Sequence, residues 1–383
     1  MSSNRIALAF SRNKCGNQYM TYSPKFTISS KILDYVGQIS AAREVITNAP
    51  LVPSWEKRFQ AEARTKIIHH GTHLEGNDLN LEEVEEVLNP TEPGIGSGEN
   101  STIVGRDRDI QEIINYRSVM DYLDTLKDVP LSRHILQEIH RLTVKNLLPE
   151  SESGHYRSVK VVIRNTATRE ISFRPPPPTE VPFFVEELFT WLSSDSGKST
   201  HPLLRAGLLH YELVRIHPFT DGNGRTARAM ALLLLFLEGY EVKKFFALEE
   251  YYDNHPEEYY SALQSVANSG ETTTWLEYFT LGIAIEFNRV KNLVQKLSLD
   301  LHLKSTIGGQ QITLSERQIK LVEYIEKFGE ISMGNVRELL PNVSEDTILR
   351  DLRDLVLKNL LIKKGSTKGT RYYLKKHDHH NEG

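Results

Sequence analysis

Cysteine is nearly absent: Cys15 stands alone among 383 residues. One thiol cannot close an intrachain disulfide or build a cysteine-based zinc site. Long apolar runs are also missing. The longest, Met230 to Leu237, falls well short of a membrane span. Residues 1–20 are polar and lack the apolar centre of a secretory signal. Charge of one sign is scarce too. The net charge is -4 and the pI about 6.4, so no global field draws the chain to nucleic acid or to a membrane. These absences point to a cytoplasmic protein with no membrane partner.

What is present suits two or three folded domains: 39% hydrophobic and 25% charged residues over a long chain. Helical periodicity dominates. It predicts helices over 32–47, 55–70, 107–126, 132–146, 181–193 and 202–215, then an apolar helix to Leu237, one around 259–267, and one from Thr274 to about Leu299. Gly76-Asn77 reads as a helix stop, and Asn80 as the N-cap of a helix whose first turn holds Glu82 and Glu83. Pro90 to Ser101 is a Gly/Pro/Ser loop. Val159 to Phe173 differs, with alternating Val159, Val161 and Ile163, a polar loop, then Ile171 and Phe173. That pattern predicts a β-hairpin, closed by Pro175 to Pro178.

The densest chemistry lies in His217-Pro218-Phe219-Thr220-Asp221-Gly222-Asn223-Gly224-Arg225-Thr226-Ala227-Arg228. Gly222 and Gly224 permit a tight turn before a helix, whose first amides then make an anion site. Arg225 and Arg228 lie three apart on that helix and can reach one phosphate chain. Asp221 can hold Mg2+, and the reference pKa of a histidine such as His217 is close to cellular pH, which suits a general base. Gly222-x-Gly224-x-x-Ala227 also fits a dinucleotide fingerprint, but that motif follows a strand, and 206–215 reads as helix. The stretch is not a Walker loop, because it contains no Gly-Lys-Ser/Thr. A purely structural loop explains any one of these residues, but not all of them together.

The stretch resembles the signature of the Fic family (filamentation induced by cyclic AMP), His-Pro-Phe-x-Asp/Glu-Gly-Asn-Gly-Arg-x-x-Arg, at every specified position. The resemblance covers roughly residues 20–300. It implies a mainly α fold with a β-hairpin flap, and AMP transfer from ATP to a Ser, Thr or Tyr hydroxyl of a target protein. By that resemblance His217 deprotonates the hydroxyl and Asp221 binds Mg2+. The backbone of Gly222, Asn223 and Gly224, with Arg225, holds the inner phosphates, and Arg228 takes the γ-phosphate. The flap would align the target by strand addition. Tyr259, Tyr260 and Asn268 match adenine-contacting positions.

Gly71 to Gly76 resembles the family's inhibitory motif, Ser/Thr-x-x-x-Glu-Gly/Asn, with Gly71 in place of the hydroxyl residue. By resemblance Glu75 pairs with Arg228 and denies it to the γ-phosphate, within one chain or between chains of a homo-oligomer. Glycine at position 71 loosens the expected helix, by about 1 kcal/mol. His69, His70 and His73 have helical spacing but lack a His-Glu-x-x-His pattern, and are expected to pack or face solvent.

Residues 313–374 resemble a winged helix, with helices over 315–328, 333–340 and 344–359 and two strands around a basic turn. The third helix carries Arg350, Arg353 and Lys358 against Glu345, Asp346, Asp351 and Asp354. The wing offers Lys363, Lys364, Lys368 and Arg371. DNA is one candidate partner, and a dimerisation module is the other.

The expected organisation is an N-terminal helical segment (1–100), a catalytic core (101–304), a winged-helix module (305–374) and a tail (375–383). The first functional expectation is an autoinhibited protein adenylyltransferase acting on a target and on itself. The alternatives are a DNA-binding regulator whose core senses nucleotide, and a hydrolase that removes AMP using Glu75.

Overall fold

The computed structural model describes residues 22–49, 53–89, 107–164, 171–241, 244–305, 314–341, 343–365 and 370–375. Cys15, the 90–101 loop, the hairpin's polar tip, Lys368 and the tail beyond Lys375 lie outside the described residues. The chain divides into two compact units. One takes Met1–Arg43 with Ala61–Asn288, the other Glu44–Gln60 with Arg289–Gly383. Helices α1 (Ser30–Asn48), α2 (Pro53–His73) and α12 (Thr273–Ser305) carry residues of both.

The first unit is helical. After α2 come α3 (Leu81–Leu88), α4 (Asp107–Thr125), α5 (Arg133–Thr143), the strands β1 (Ile163–Arg164) and β2 (Ile171–Phe173), α6 (Val181–Ser193), α7 (Asp195–Ser199), α8 (Pro202–Ile216), α9 (Asn223–Leu237), α10 (Leu248–Asn254) and α11 (Pro256–Ser269). The Asn80 cap forms as expected. Its side chain accepts from the Glu83 N–H, and Glu83 reciprocates in a capping box.

Helices α8 and α9 form the centre of this unit. Eleven of the fifteen residues of α8 and twelve of the fifteen of α9 are buried, so both are enclosed on nearly every side. Gly207 lets α8 meet α12 closely. The Trp275 indole donates to the Gly207 carbonyl at 2.7 Å, and a Cβ there would lie 2.8 Å from Leu276 Cδ2.

The hairpin is shorter than its sequence pattern suggests. Among the described residues Ile163↔Phe173 and Arg164↔Ile171 pair, antiparallel and with a register shift. Val159 belongs to the loop instead, because its carbonyl accepts from Arg157 Nη1 at 3.0 Å. Helix α10 is seven residues long, too short for periodicity to announce.

The second unit contains α13 (Glu316–Phe328), α14 (Met333–Leu339) and α15 (Glu345–Leu357) over a sheet of order β3-β5-β4. Strands β4 (Leu361–Lys364) and β5 (Arg371–Leu374) are the wing pair. Strand β3 (Ile331–Ser332) is an addition that only pairing with β5 reveals. Leu321, Ile325, Val336, Ile348, Leu352, Leu355 and Tyr372 make its core. This is a winged-helix arrangement. No helix among the described residues is long and apolar enough to cross a membrane.

Gly207→Ala is expected to lower stability by about 1–3 kcal/mol through overpacking against Leu276 and Phe279. Urea unfolding followed by far-UV circular dichroism measures this, and an unchanged midpoint would show that α8 and α12 can move apart without cost.

Candidate active site

The site is built where α8 hands over to α9. Helix α8 ends at His217 in the left-handed region (φ 50, ψ 62), and Gly222 caps α9 in the same region (φ 73). A left-handed residue other than glycine needs support from its surroundings. Arg157 supplies it: its Nε donates to the His217 carbonyl at 2.7 Å and its Nη2 to the Pro176 carbonyl at 2.6 Å. This arginine is 3% exposed and was not singled out in the sequence, because its partners are all backbone carbonyls. Asn223 braces the turn from within. Its side chain accepts from the Phe219 N–H and donates to the Phe219 carbonyl, both at 2.9 Å.

His217 Nδ1 lies 3.3 Å from the Val214 carbonyl. A carbonyl only accepts, so Nδ1 carries the proton and Nε2 keeps its lone pair. Burial lowers the pKa of the ring, which favours the neutral, basic form. Asp221 is part-exposed. Burial pushes its carboxyl up, but Arg225, the Gly222 N–H and Arg108 together hold it below the usual carboxylate range. Arg108 was not anticipated. Its Nη2 sits 2.9 Å from Asp221 Oδ2, and its Nε donates to Glu112 Oε1 at 3.3 Å.

Arg225 is 2% exposed, and its nearest carboxylate is Glu112, at 3.3 Å from Nη1. Its Nε and Nη1 make no hydrogen bond within the protein, the Glu112 contact being an ion pair without hydrogen-bond geometry. Buried guanidinium donors in that state suit an incoming anion. Glu112 also accepts from Asn77 Nδ2 at 3.2 Å, so α4 links the turn after α2 to Arg225.

Arg228 is almost fully buried. Its Nη2 lies 2.8 Å from Glu75 Oε1 and 2.8 Å from the Gly71 carbonyl, to which it donates. Burial disfavours its charge, but Glu75, with Tyr259 and Tyr116, outweighs that, and the guanidinium pKa is raised. The Glu75 carboxylate also lies over Gly224, where a Cβ would overlap Oε1. One carboxylate thus covers both the first turn of α9 and the Arg228 guanidinium.

Helix α2 runs through Gly71 and stops at His73. Thr72 then accepts from the Glu75 and Asn77 N–H groups, and Gly76 takes φ 95. Gly71 is more than a weak helix residue. A Cβ there would sit 2.6 Å from Tyr116 Cε1, so its absence brings the Gly71 carbonyl to Arg228. His70 and His73 both place Nδ1 on Asp253 of α10, at 2.7 and 2.8 Å, and Lys66 pairs with Glu250 at 2.7 Å. Among the described residues no group of three or more His, Cys, Asp or Glu side chains is arranged to hold a metal.

The three expected adenine contacts separate. Tyr259 is 2% exposed, with its hydroxyl 2.9 Å from His210 Nε2. Tyr260 is 52% exposed, and its hydroxyl approaches the Leu74 carbonyl at 3.5 Å. Asn268 is exposed near the end of α11.

A neutral histidine, a glycine-capped helix start and buried arginines on an α8–α9 hairpin form a helical site whose chemistry suits an anion. Comparison makes this specific. Residues 130–235 match the Fic/DOC family profile, and residues 317–365 match that of the DeoR-like helix-turn-helix domain. The chain therefore carries a Fic/DOC domain, followed by a helix-turn-helix domain. It is 28% identical to a protein of Culex quinquefasciatus named protein adenylyltransferase Fic, over 63% of this chain and 44% of that protein. It is 33% identical to one of that name from Drosophila grimshawi, over 48% of this chain and 35% of that protein. The chain thus spans less than half the length of these relatives. A Fic family protein from Desulfovibrio desulfuricans G20 shares the fold at TM-score 0.63 and 23% identity, over 93% of this chain and 99% of that one.

Asp253→Asn is expected to speed amide exchange over residues 71–77 by about tenfold, because two charge-assisted hydrogen bonds to α2 weaken. Exchange read by mass spectrometry checks this, and unchanged protection would show that the α10 contact does not hold the end of α2.

Proposed function

We propose that this chain is an autoinhibited protein adenylyltransferase that moves AMP from ATP to a Ser, Thr or Tyr hydroxyl of a target protein, and to its own. The observation that carries this reading is the Glu75 carboxylate lying on Arg228 and over Gly224, an anion already seated where a phosphate would bind. His217 Nε2 takes the proton of the attacking hydroxyl. The hydroxyl oxygen bonds to the α-phosphorus of ATP, and the bond to pyrophosphate breaks. The imidazolium then returns its proton to solvent. The first-turn amides of α9 and Arg225 hold the inner phosphates, and Arg228 holds the γ-phosphate once Glu75 has left.

Asp221 suits Mg2+. It is an ionised carboxylate at the edge of the site, paired with Arg108, and would be the residue that holds the ion. The ion, when bound, supplies charge neutralisation for the phosphates. Tyr260 offers a ring face at the rim for adenine, and a target segment would add to the short β1–β2 hairpin. An ATP-dependent transferase of this kind fits a cytoplasmic location.

The second unit supports DNA as a further partner. Three of the four acidic residues of α15 are neutralised within the unit: Glu345 by Arg337 (2.5 Å), Asp351 by Arg317 (2.8 Å) and Asp354 by Lys358 (2.5 Å). Arg350 and Arg353 remain exposed on that helix, as do Lys363 and Lys364 on the wing. The helix is therefore more basic toward solvent than its composition implies.

Glu75→Gly protein given ATP and Mg2+ should gain the mass of one or more AMP units, faster than the unsubstituted chain. Adding His217→Ala should slow that gain by about 100-fold or more. Intact-mass spectrometry reads both. A gain of phosphate alone would assign another transfer, and loss of AMP from a modified protein that depends on Glu75 would favour the hydrolase. ATP binding without transfer would favour nucleotide sensing.

The full chain should bind duplex DNA at low salt, and Arg350→Glu with Arg353→Glu should weaken binding and flatten its salt dependence by about one unit per lost phosphate contact. Fluorescence anisotropy measures this, and no binding by the unsubstituted chain at low salt would leave the module to protein association.

A further inference from the structure

His140 takes no part in the chemistry above, yet it is fully buried, with its ring against the loop between α8 and α9. It lies on α5, and its two ring nitrogens have different backbone partners. The Gly154 N–H donates to Nδ1 at 2.9 Å. A nitrogen that accepts carries no proton, so the proton sits on Nε2, which donates to the Asp221 carbonyl at 3.0 Å. The ring also stacks on Phe219 at 3.7 Å with an interplanar angle of 2°, and Phe219 is itself clamped by Asn223.

The Asp221 carbonyl and the Gly222 N–H belong to one planar peptide unit, in which they point in opposite directions. Holding the carbonyl therefore sets the direction of the N–H. That N–H donates to Oδ1 of the Asp221 carboxylate at 2.7 Å. The other oxygen, Oδ2, faces outward to Arg108. The loop has little room to tilt, since a Cβ on Gly222 would lie 2.9 Å from Val144 Cγ1.

We propose that His140 is a positioning residue that orients the Asp221 carboxylate through the Asp221–Gly222 peptide, leaving Oδ2 to exchange between Arg108 and a divalent cation. The cation part rests on Asp221 being the metal ligand of the proposed transferase, and the orientation part does not. Side chains that support a metal ligand from behind change metal affinity by roughly 10–100-fold.

The first test uses the unsubstituted chain. A long-range 1H–15N spectrum of the histidine-labelled protein should show one ring protonated at Nε2 and slow to exchange, identified by its loss in a His140 variant. Protonation at Nδ1 would overturn the proposal. The second test separates the two hydrogen bonds. His140→Gln places an amide near Nε2 and keeps a donor for Asp221. His140→Asn places one near Nδ1 and keeps an acceptor for Gly154. In a Glu75→Gly background with ADP, Mn2+ affinity by electron paramagnetic resonance should stay within about threefold for Gln and fall about tenfold or more for Asn. The Gly222 amide should exchange faster only in Asn. Equal exchange in both folded variants would sink the positioning role. Unchanged Mn2+ affinity in Asp221→Asn would instead sink Asp221 as the ligand, with the exchange comparison still deciding the role of His140.

Discussion

Arg228 keeps a full positive charge where almost no water reaches it, and the site is arranged around that fact. A buried cation without a partner costs several kcal/mol, so an anion must stand beside it at all times. Glu75 is that anion here, 2.8 Å away and itself 30% exposed. The asymmetry matters. The arginine is fixed inside the core helix α9, whereas the glutamate hangs from the end of α2 in a short turn. An exchange of partners therefore moves the glutamate and leaves the arginine where it is. The Gly71 carbonyl shares the guanidinium, which ties the position of α2 to the same charge.

The loop between α8 and α9 meets a different demand. It holds His217 and Gly222 in left-handed conformations and turns the chain within six residues. Its own hydrogen bonds cannot do this, since few backbone partners are available in so short a turn. Side chains from elsewhere supply them: Arg157 on the His217 carbonyl, Asn223 on both polar groups of Phe219, and His140 on the Asp221 carbonyl. The geometry is held by the protein's own side chains, and such preorganisation is what makes fixed dipoles useful to a charged group.

Much of this was legible in the chain. The α8–turn–α9 unit follows from a glycine-rich stretch between two apolar helical patterns, and the second unit from helices with two short strands after them. The turn through Gly76 that follows α2 and the cap at Asn80 follow from local chemistry. Less legible were the short elements. Helix α10 and strand β3 exist because something packs or pairs with them, and a sequence window of seven or two residues does not contain that information. The hairpin shrank for a related reason, since Arg157 claimed the Val159 carbonyl that alternation would assign to a strand.

The sequence by itself determined the residues of the central stretch, their order and the helices on either side, because spacing along one helix and the conformational freedom of glycine are local properties. Tertiary structure alone decided how those residues are partnered. It gave Arg108 to Asp221, Glu112 to both Arg225 and Asn77, and Asp253 to two histidines of α2. It also turned Gly71 from a weak point in a helix into a close contact with Tyr116. These partners lie far apart in the chain, and burial sets the strength of each pairing. Neither separation in space nor exclusion of water can be read from the order of residues.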